Sequence, residues 1–359
     1  MSFFSGFFRN EKRTKSVLLI DITTDSVAGA YAQYKEGGKP ILLYTKRLPI
    51  QVKEGEFREH AMLHTLKVLG ATLILEGAPI LMRTTGSGHS DSIIVSVDAP
   101  WQTTSVRTKH FERQTPFIFT KDIVNTALEK NTTIPPGKLL ANESIIGTIL
   151  NGYETRNPYG KKVHRASIIV LTSFIDEHIA VGVATTLQGL YHTKDMLLIA
   201  GSSLRYQAMR TAFPHERDTL ILDTRGSVTS LSLVRKDLFV ALAEVSDNVA
   251  NSDNWTEQIV RKLSTLTKRY PLPQTVFLLT EESNIPLLRK TLEPMYAGKL
   301  RTSNTQSKII PVLVSHILAL VQQTGIASSD LQLLLMTLFW QYHSSEEKNV
   351  MHNNHSNLR

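Results

Sequence analysis

Apolar runs and alternating apolar positions in the first half of the chain predict a strand-rich α/β segment. Strands are predicted at residues 16–22, 27–34, 41–48, 93–97, 163–174 and 196–199. Apolar residues at helical spacing predict helices over residues 57–76, 121–130 and 176–190. The pair Gly37-Gly38 predicts a hairpin turn between the second and third strands, and the Gly- and Ser-rich stretch 84–91 predicts a loop.

The second half repeats this order of elements. Strands are predicted at residues 219–223, 227–234, 238–245 and 275–279. Helices are predicted at residues 203–212, 254–270 and 285–295, a buried core helix at 309–321, and a further buried segment at 331–340. Residues from 344 onward are polar and predict a disordered tail. Mixed sheets flanked by helices, occurring twice, are typical of a duplicated α/β fold.

Composition narrows the possible classes of protein. With 359 residues, 42% of them hydrophobic and 20% charged, the chain can form two domain-sized cores. It contains no cysteine, which excludes disulfides, thiolate zinc sites and a cysteine nucleophile. No uninterrupted apolar stretch reaches about 18 residues, so we expect no transmembrane helix, and no cleavable signal peptide is recognisable.

The net charge of +8 is compatible with nucleic acid, an anionic membrane or solubility alone. Basic residues stand near Trp101 and Phe111, but a solvated strand edge with aromatic anchors explains them better than a nucleic-acid surface. We therefore expect no nucleic-acid partner. We also expect no metal site, since the pair His352 and His355 lies in the polar tail.

Three segments resemble the nucleotide-binding motifs of actin-like ATPases. Residues 17–27 (VLLIDITTDSV) and 220–234 (LILDTRGSVTSLSLV) resemble the two phosphate-binding hairpins, and residues 276–288 (VFLLTEESNIPLL) resemble the adenosine-binding loop. Within that superfamily, residues 144–173 are most similar to the bacterial division protein FtsA, where the chain closes an inserted subdomain and re-enters the first domain. The Asn-Pro-x-Gly turn at 157–160 lies at the matching distance from the preceding strand.

The resemblance implies an α/β, actin-like (ribonuclease H-like) fold with duplicated domains, an FtsA-type inserted subdomain and a reduced second domain. The expected boundaries are an N-terminal amphipathic basic segment at 1–15, a first domain at 16–92 and 164–200, the inserted subdomain at 93–163, the second domain at 201–343 and a disordered tail at 344–359. The short interval between Val245 and Asn254 leaves almost no room for the fourth subdomain of the family.

The motifs depart from the family pattern where the family binds ATP. There, backbone N–H groups of two glycine hairpins hold the phosphates, and a Cβ obstructs their approach. Threonine, arginine or serine replaces most of those glycines here, and Glu281 and Glu282 replace the two glycines of the adenosine loop. We therefore expect no bound cofactor, and a pseudo-ATPase rather than an enzyme.

A retained site for ATP and magnesium is the alternative. The residues that the resemblance then assigns are Asp21 and Asp223 for magnesium, and Thr23, Thr24 and Gly226 for phosphate. If no nucleotide binds, the two aspartates simply cap strand ends and turns.

The first 15 residues differ from the rest of the chain. Four phenylalanines fall within about 140° of arc on a helix, with basic residues beside or beyond them. These residues are Phe3, Phe4, Phe7 and Phe8 on the apolar side, and Arg9, Lys12 and Arg13 on the basic side. Such a segment can order on an anionic membrane or on a partner. Alternatively, the phenylalanines pack on the protein's own core.

The sequence therefore supports three hypotheses. The first is a non-catalytic, FtsA-like scaffold on the inner face of the cytoplasmic membrane, which recruits division or envelope proteins through the inserted subdomain. The second is a PilM-like cytoplasmic component of a type IV pilus assembly platform, which binds a short tail of a membrane protein in a groove of the first domain. The third is an active ATPase that polymerises. Each of the three is compatible with a homo-oligomer.

Overall fold

A computed structural model describes residues 14–131, 134–155, 157–193, 195–226, 228–245, 252–268, 270–297 and 308–356. Its strands are β1 (Lys15–Ile22), β2 (Ser26–Tyr34), β3 (Ile41–Pro49), β4 (Ser92–Val97), β5 (Gln102–Ile118), β6 (Lys138–Leu150), β7 (Tyr153–Glu154), β8 (Lys162–Asp176), β9 (Met196–Ala200), β10 (Thr219–Asp223), β11 (Thr229–Arg235), β12 (Leu238–Val245), β13 (Thr275–Leu279), β14 (Lys308–Pro311) and β15 (Gln322–Gln323). Its α-helices are α1 (Arg58–Thr72), α2 (Ala78–Thr85), α3 (Lys121–Asn131), α4 (Glu177–Tyr191), α5 (Gly201–Ala212), α6 (Ser252–Thr267), α7 (Ile285–Ala297), α8 (Val314–Leu318) and α9 (Leu331–Ser356). A π-helical turn, Leu73–Gly77, connects α1 to α2, and a 3₁₀ turn, Glu282–Asn284, precedes α7.

The strand β1 lies inside a six-stranded sheet with the order β15-β3-β2-β1-β4-β9. It pairs antiparallel with β2 and parallel with β4, and β4 pairs parallel with β9. Alternate side chains of β1 enter two different cores, with Val17 and Leu19 in one and Leu18 and Ile20 in the other. A strand that is covered on both faces is apolar at almost every position, which explains its uninterrupted apolar run.

Helices cover both faces of this first sheet. On one face, α1 and α4 contribute Leu69 and Val183 to the core. On the other face, α5 and α9 contribute Leu204 and Leu334 to a core that also contains Phe277 of the second sheet. This second core therefore joins the two halves of the molecule.

The second sheet repeats the first strand for strand. Its order, β12-β11-β10-β13-β14, corresponds to β3-β2-β1-β4-β9, with the same antiparallel pairs on one side of the central strand and parallel pairs on the other. Trp255 of α6 and Leu288 of α7 are buried against its outer face. The duplicated α/β architecture predicted from the sequence is confirmed.

A third sheet, entirely antiparallel, is inserted in the chain between β4 and β9. Its order is β5-β8-β6-β7, and it forms a small core of its own with α3, which includes Phe119, Val124 and Ile168. The chain enters and leaves this insert at neighbouring points, since Asp176 N donates to Trp101 O at 2.9 Å.

The strand pairing corrects the predicted boundaries of the insert. The sequence predicts the insert at 93–163, but residues 93–97 lie in β4, inside the first sheet. Residues 164–176, predicted to belong to the first domain, lie in β8 of the third sheet. The inserted sheet therefore runs from Gln102 to Asp176. An apolar run predicts a buried strand but does not indicate which sheet the strand joins, so both strands were assigned to the wrong neighbours.

Two predictions for the C-terminal part also differ from the structure. The predicted core helix at 309–321 is wrong, because Lys308–Pro311 forms β14 at the edge of the second sheet and the short α8 follows it. Pro311 has no N–H to donate, which an edge strand tolerates and a helix interior does not. In addition, α9 continues to Ser356, through much of the segment predicted to be a disordered tail.

The helices α1 and α2, with the π-helical turn between them, form one segment of 28 residues, Arg58–Thr85. Among the described residues it is the one helical segment long and apolar enough to cross a membrane by length and composition, whereas the sequence predicts none. Within the most apolar 18 residues of this segment, 33% of the residues are buried. Side chains such as Leu66 and Leu69 are among them and pack on the first sheet. Gly77 permits this close packing, since a Cβ there would lie 2.8 Å from the ring of Tyr31.

Candidate functional site

The carboxyl ends of the central strands of both large sheets border one cleft of about 250 Å³. Each of three strands supplies an aspartate to it: Asp21 from β1, Asp98 directly after β4, and Asp223 from β10. Asp21 and Asp223 are buried. In open α/β sheets, ligands bind in the crevice outside the carboxyl ends of the strands, so we take this cleft as the first candidate site.

Arg47 of β3 links Asp21 to the C-terminal helix. Its Nη2 lies 3.1 Å from Asp21 Oδ2, and its Nε lies 2.7 Å from Asp330 Oδ2. Asp330 stands directly before α9, and its Oδ1 accepts the backbone N–H groups of Gln332 and Leu333 at 3.0 and 3.2 Å. Asp330 therefore caps α9 and binds Arg47 with the same carboxylate.

Arg205 of α5 bridges the two large sheets. Its Nη1 lies 2.8 Å from Asp98 Oδ1, and its Nε lies 2.5 Å from Asp223 Oδ2. Gly201, the first residue of α5, leaves space for this arrangement, because a Cβ there would lie 2.0 Å from Asp98 Oδ1 and 2.8 Å from Arg205 Nη1. The buried guanidinium is thus held between one carboxylate from each sheet.

Asp223 is also bound by Arg225, which lies in the turn after β10. Arg225 donates from Nε to Asp223 Oδ1 at 3.2 Å and from Nη2 to Asp223 Oδ2 at 3.3 Å. Both carboxylate oxygens of Asp223 therefore contact arginine. The neighbouring Thr224 donates its hydroxyl to Thr280 Oγ1 at 2.7 Å, and Gly226, a predicted phosphate contact, lines the cleft.

The other predicted phosphate ligands bond within the protein. Thr23 lines the cleft, but its Oγ1 donates to Ser26 O at 3.0 Å. Thr24 is buried, and its Oγ1 donates to Ala99 O at 2.8 Å. The residues predicted to contact a membrane or partner lie outside the described residues; they are Phe3, Phe4, Phe7, Phe8, Arg9, Lys12 and Arg13.

The carboxylates of the cleft differ in their pKa values. Burial raises the pKa of Asp21 to about 6, because the loss of hydration outweighs the attraction of Arg47. Within the described part of the chain, Asp21 Oδ1 has no hydrogen-bond donor. Burial acts in the same direction on Asp223 and Asp330, but the neighbouring arginines outweigh it and lower the pKa of both carboxyls. Burial also raises the pKa of Glu244, which lines the same cleft. Two carboxyls of the cleft are therefore more easily protonated than usual, beside two that are held ionised.

A larger groove, of about 970 Å³, lies between the inserted sheet, α5 and the second sheet. The apolar side chains that line it include Tyr206, Met209, Phe213, Ile221 and Phe277. The Arg210 guanidinium lies 5.7 Å from the centre of the Tyr206 ring, at the exposed side of the groove. Lys236 Nζ lies 3.4 Å from Glu154 Oε2, which connects the second sheet to the insert beside the groove.

Comparison with known proteins identifies the architecture. No family model matches the chain, and a search of curated proteins finds no match. Among solved structures, the PilM-PilN type IV pilus biogenesis complex matches with a TM-score of 0.56 at 15% identity, over 90% of this chain and 96% of that chain. A protein from Bacteroides thetaiotaomicron with an actin-like ATPase fold and unknown function matches with a TM-score of 0.47 at 10% identity, over 92% of this chain and 99% of that chain. The chain has the actin-like fold. The predicted actin-like fold is confirmed, and the closer resemblance to FtsA stays a prediction.

The resemblance of the sequence motifs to actin-like ATPases implies ATP and magnesium in this cleft, but the residues that line it fit them poorly. The two predicted magnesium ligands, Asp21 and Asp223, are bonded to arginines. Among the described residues, no group of three or more His, Cys, Asp or Glu side chains is arranged to hold a metal ion. Glu281, from the predicted adenosine loop, lines the cleft and would repel a polyphosphate.

The sequence indicated the two aspartates but not the arginines that bind them. Asp330 carried a recognisable signal, because an aspartate directly before a helix is a typical N-cap. Arg205 carried a weaker one, a charged residue in a helix whose neighbours are nearly all buried. Arg47 carried none, since basic residues are common at the exposed end of a strand.

Proposed function

We propose that this chain is a non-catalytic actin-fold adaptor, which binds a cytoplasmic segment of a membrane protein as a PilM-like component of a type IV pilus assembly platform. The observation that carries the proposal is the placement of Arg205 between Asp98 and Asp223. Asp223, one of the two aspartates predicted to hold magnesium, is thereby neutralised by the protein itself, and Arg47 neutralises the other, Asp21. The cleft then serves to hold the two halves together.

The energetics support a pseudo-ATPase. A bound nucleotide would have to release Arg205 or Arg47 from buried carboxylates, and removing one partner of a buried ion pair costs about 3–5 kcal/mol. The hairpin turns offer little compensation, because threonine and arginine side chains stand where the family has glycine. Isothermal titration with magnesium-ATP should therefore detect no binding at millimolar concentrations. A dissociation constant in the low micromolar range would overturn the non-catalytic role.

The groove is the better candidate for a partner. It is concave, it is larger than the cleft, and its lining combines aromatic and aliphatic side chains with a few charged groups, as in sites that bind peptide segments. The similarity to the PilM-PilN complex over nearly the whole chain supports a pilus partner. The FtsA-like division scaffold shares the non-catalytic role and differs in the partner.

The partner can be identified with peptides that correspond to the cytoplasmic ends of membrane proteins encoded beside this gene. Fluorescence anisotropy with the purified chain should find one that binds, and Arg210→Glu should weaken that binding about tenfold or more. Ile326→Ser is the matched control, since Ile326 is exposed and is not a lining residue of the groove. Binding to a peptide from a division protein instead would favour the FtsA-like alternative.

A further inference from the structure

The cleft between the two large sheets carries more acidic than basic side chains. Among the described residues that line it, the basic ones are the three arginines described above, whereas six carry carboxyl groups. These six are Asp21, Asp98, Asp223, Glu244, Glu281 and Asp330. Three negative charges are therefore in excess when all of these groups are ionised. The lining thus favours a cation over an anion.

Two buried side chains of the cleft have polar atoms without a partner. Asp21 is 0% exposed, and its Oδ1 has no hydrogen-bond donor within the described part of the chain. Gln332, in the first turn of α9, is 5% exposed, and neither its Oε1 nor its Nε2 has a partner among the described residues. Both side chains line the cleft. Because unpaired buried polar atoms are unfavourable, and two of these three are acceptors, they indicate an occupant that donates hydrogen bonds.

The opposite wall of the cleft carries two of the excess negative charges. The three arginines are bonded to the four aspartates of the lining, so the charges of Glu244 and Glu281 are not matched there. Glu244 lies in β12 of the second sheet and is half-buried, and Glu281 lies shortly after β13 and is exposed. An occupant that neutralises both walls therefore needs two cationic ends.

A metal ion fits this arrangement less well than an organic cation does. Metal ions need several oxygen ligands that converge on one point, and no three His, Cys, Asp or Glu side chains in the described ranges do so. An aliphatic amine instead presents its N–H donors at separate points along a chain. Its ammonium groups stay charged at neutral pH, like that of lysine. The cleft, of about 250 Å³, has the size of a site for a small molecule.

We propose that the cleft binds a small organic polycation, an aliphatic di- or triamine. One ammonium group lies at Asp21 and Gln332, and another lies at Glu244 and Glu281. The ligand thus contacts both halves of the molecule, beside the link that Arg205 already makes. The described lining residues of the cleft and of the partner groove do not overlap, so this inference does not depend on the partner proposed above.

Isothermal titration of the full chain with spermidine, at about 0.15 M salt, tests the proposal. Saturable binding to one site is expected, and magnesium chloride at the same ionic strength should give no comparable signal. A lysine side chain of another protein offers the same ammonium chemistry, so tetralysine is titrated in parallel. Binding of spermidine alone assigns the site to a free amine, and binding of tetralysine alone assigns it to a protein side chain. If neither binds, or if magnesium binds equally well, the proposal is wrong, and water occupies the cleft in the first case.

Two variants locate the site with a matched control. Glu281→Gln should weaken spermidine binding about fivefold or more, whereas Glu282→Gln should not, because Glu282 is exposed beside it and does not line the cleft. Equal weakening in both would overturn the proposal, since the overall charge alone would then govern binding.

The second variant, Gln332→Met, separates ligand contact from folding. It replaces an unpaired amide by an apolar side chain of similar length, so the melting temperature of the free protein should stay the same or rise. The affinity for spermidine should nevertheless fall about tenfold. Unchanged affinity in this variant would contradict the placement of the ammonium group at Gln332.

Discussion

Arg205 Nε lies 2.5 Å from Asp223 Oδ2, although α5 follows the first large sheet and β10 belongs to the second. The same guanidinium contacts Asp98 after β4, so one side chain joins the carboxyl ends of the central strands of both sheets. The walls of the cleft are therefore connected by the protein's own charges. This connection has consequences for stability that can be measured without knowing any ligand.

Removing the bridging guanidinium should destabilise the protein strongly. In Arg205→Ala, the carboxylates of Asp98 and Asp223 would lose their shared partner in a buried site, so we expect the free energy of unfolding to fall by about 3–5 kcal/mol. Arg235→Ala is the control, because Arg235 Nε lies 3.3 Å from Asp218 Oδ1 at the surface and such pairs contribute about 1 kcal/mol or less. Urea denaturation measures both. Similar losses in the two variants would show that Arg205 does not hold the sheets together.

Gly201 and Gly189 provide a matched pair of glycine substitutions in helices. A Cβ at Gly201 would lie 2.0 Å from Asp98 Oδ1, so Gly201→Ala should displace the Asp98–Arg205 pair and lower the melting temperature. A Cβ at Gly189 in α4 would meet nothing within 4 Å. Gly189→Ala should therefore stabilise the protein by about 0.5–1 kcal/mol, through the higher helix propensity of alanine. Thermal unfolding distinguishes the two, and a stabilising Gly201→Ala would contradict the packing described for the cleft.

The sequence predicted what depends on local pattern and missed what depends on contacts between distant residues. The strands β1 and β10 and the aspartates Asp21 and Asp223 were found, because buried runs and a family resemblance marked them. The pairs Arg47–Asp21 and Arg205–Asp223 were missed, because they join residues from separate elements and no local spacing encodes them. The same limit explains the boundaries of the insert, because β4 was assigned to the insert and β8 to the first domain, each to the wrong sheet.

The corrected boundaries of the insert lead to a deletion experiment. Removing residues 102–176 and joining Trp101 to Glu177 by two or three Gly and Ser residues should leave a folded protein, because Asp176 N and Trp101 O are only 2.9 Å apart. Removing residues 93–163 should abolish folding, because it deletes β4 from the interior of the first sheet. Circular dichroism and urea titration compare the two deletion variants. A cooperative transition for the second deletion and none for the first would contradict the sheet order.

The raised pKa of Asp21 predicts an unusual dependence of stability on pH. Its ordinary value is 3.8, and burial raises the pKa in the folded protein to about 6. Between these two values the folded state binds more protons than the unfolded state, so this carboxyl makes the free energy of unfolding fall as pH rises. The effect of the full shift is about 3 kcal/mol at most. Asp223 and Asp330 have the opposite effect on stability, at lower pH. Their stabilising contributions are present above the ordinary pKa of an aspartate and are lost as pH falls through the lowered pKa.

Asp21→Asn should therefore reduce the fall in stability between pH 4 and pH 6 by the part that Asp21 contributes, because asparagine has no proton to exchange in that range. Glu244, whose pKa burial also raises, should keep its own part of the fall. Asp330→Asn is the appropriate comparison, since it keeps Asp21 and should keep the fall, while removing the loss of stability that the ionised Asp330 causes as pH falls below the ordinary pKa of an aspartate. Urea titrations at intervals of half a pH unit give the three curves. Parallel curves for the wild type and Asp21→Asn over this range would mean that Asp21 stays ionised in the folded protein. In that case Arg47, and not burial, would control the charge on this side of the cleft.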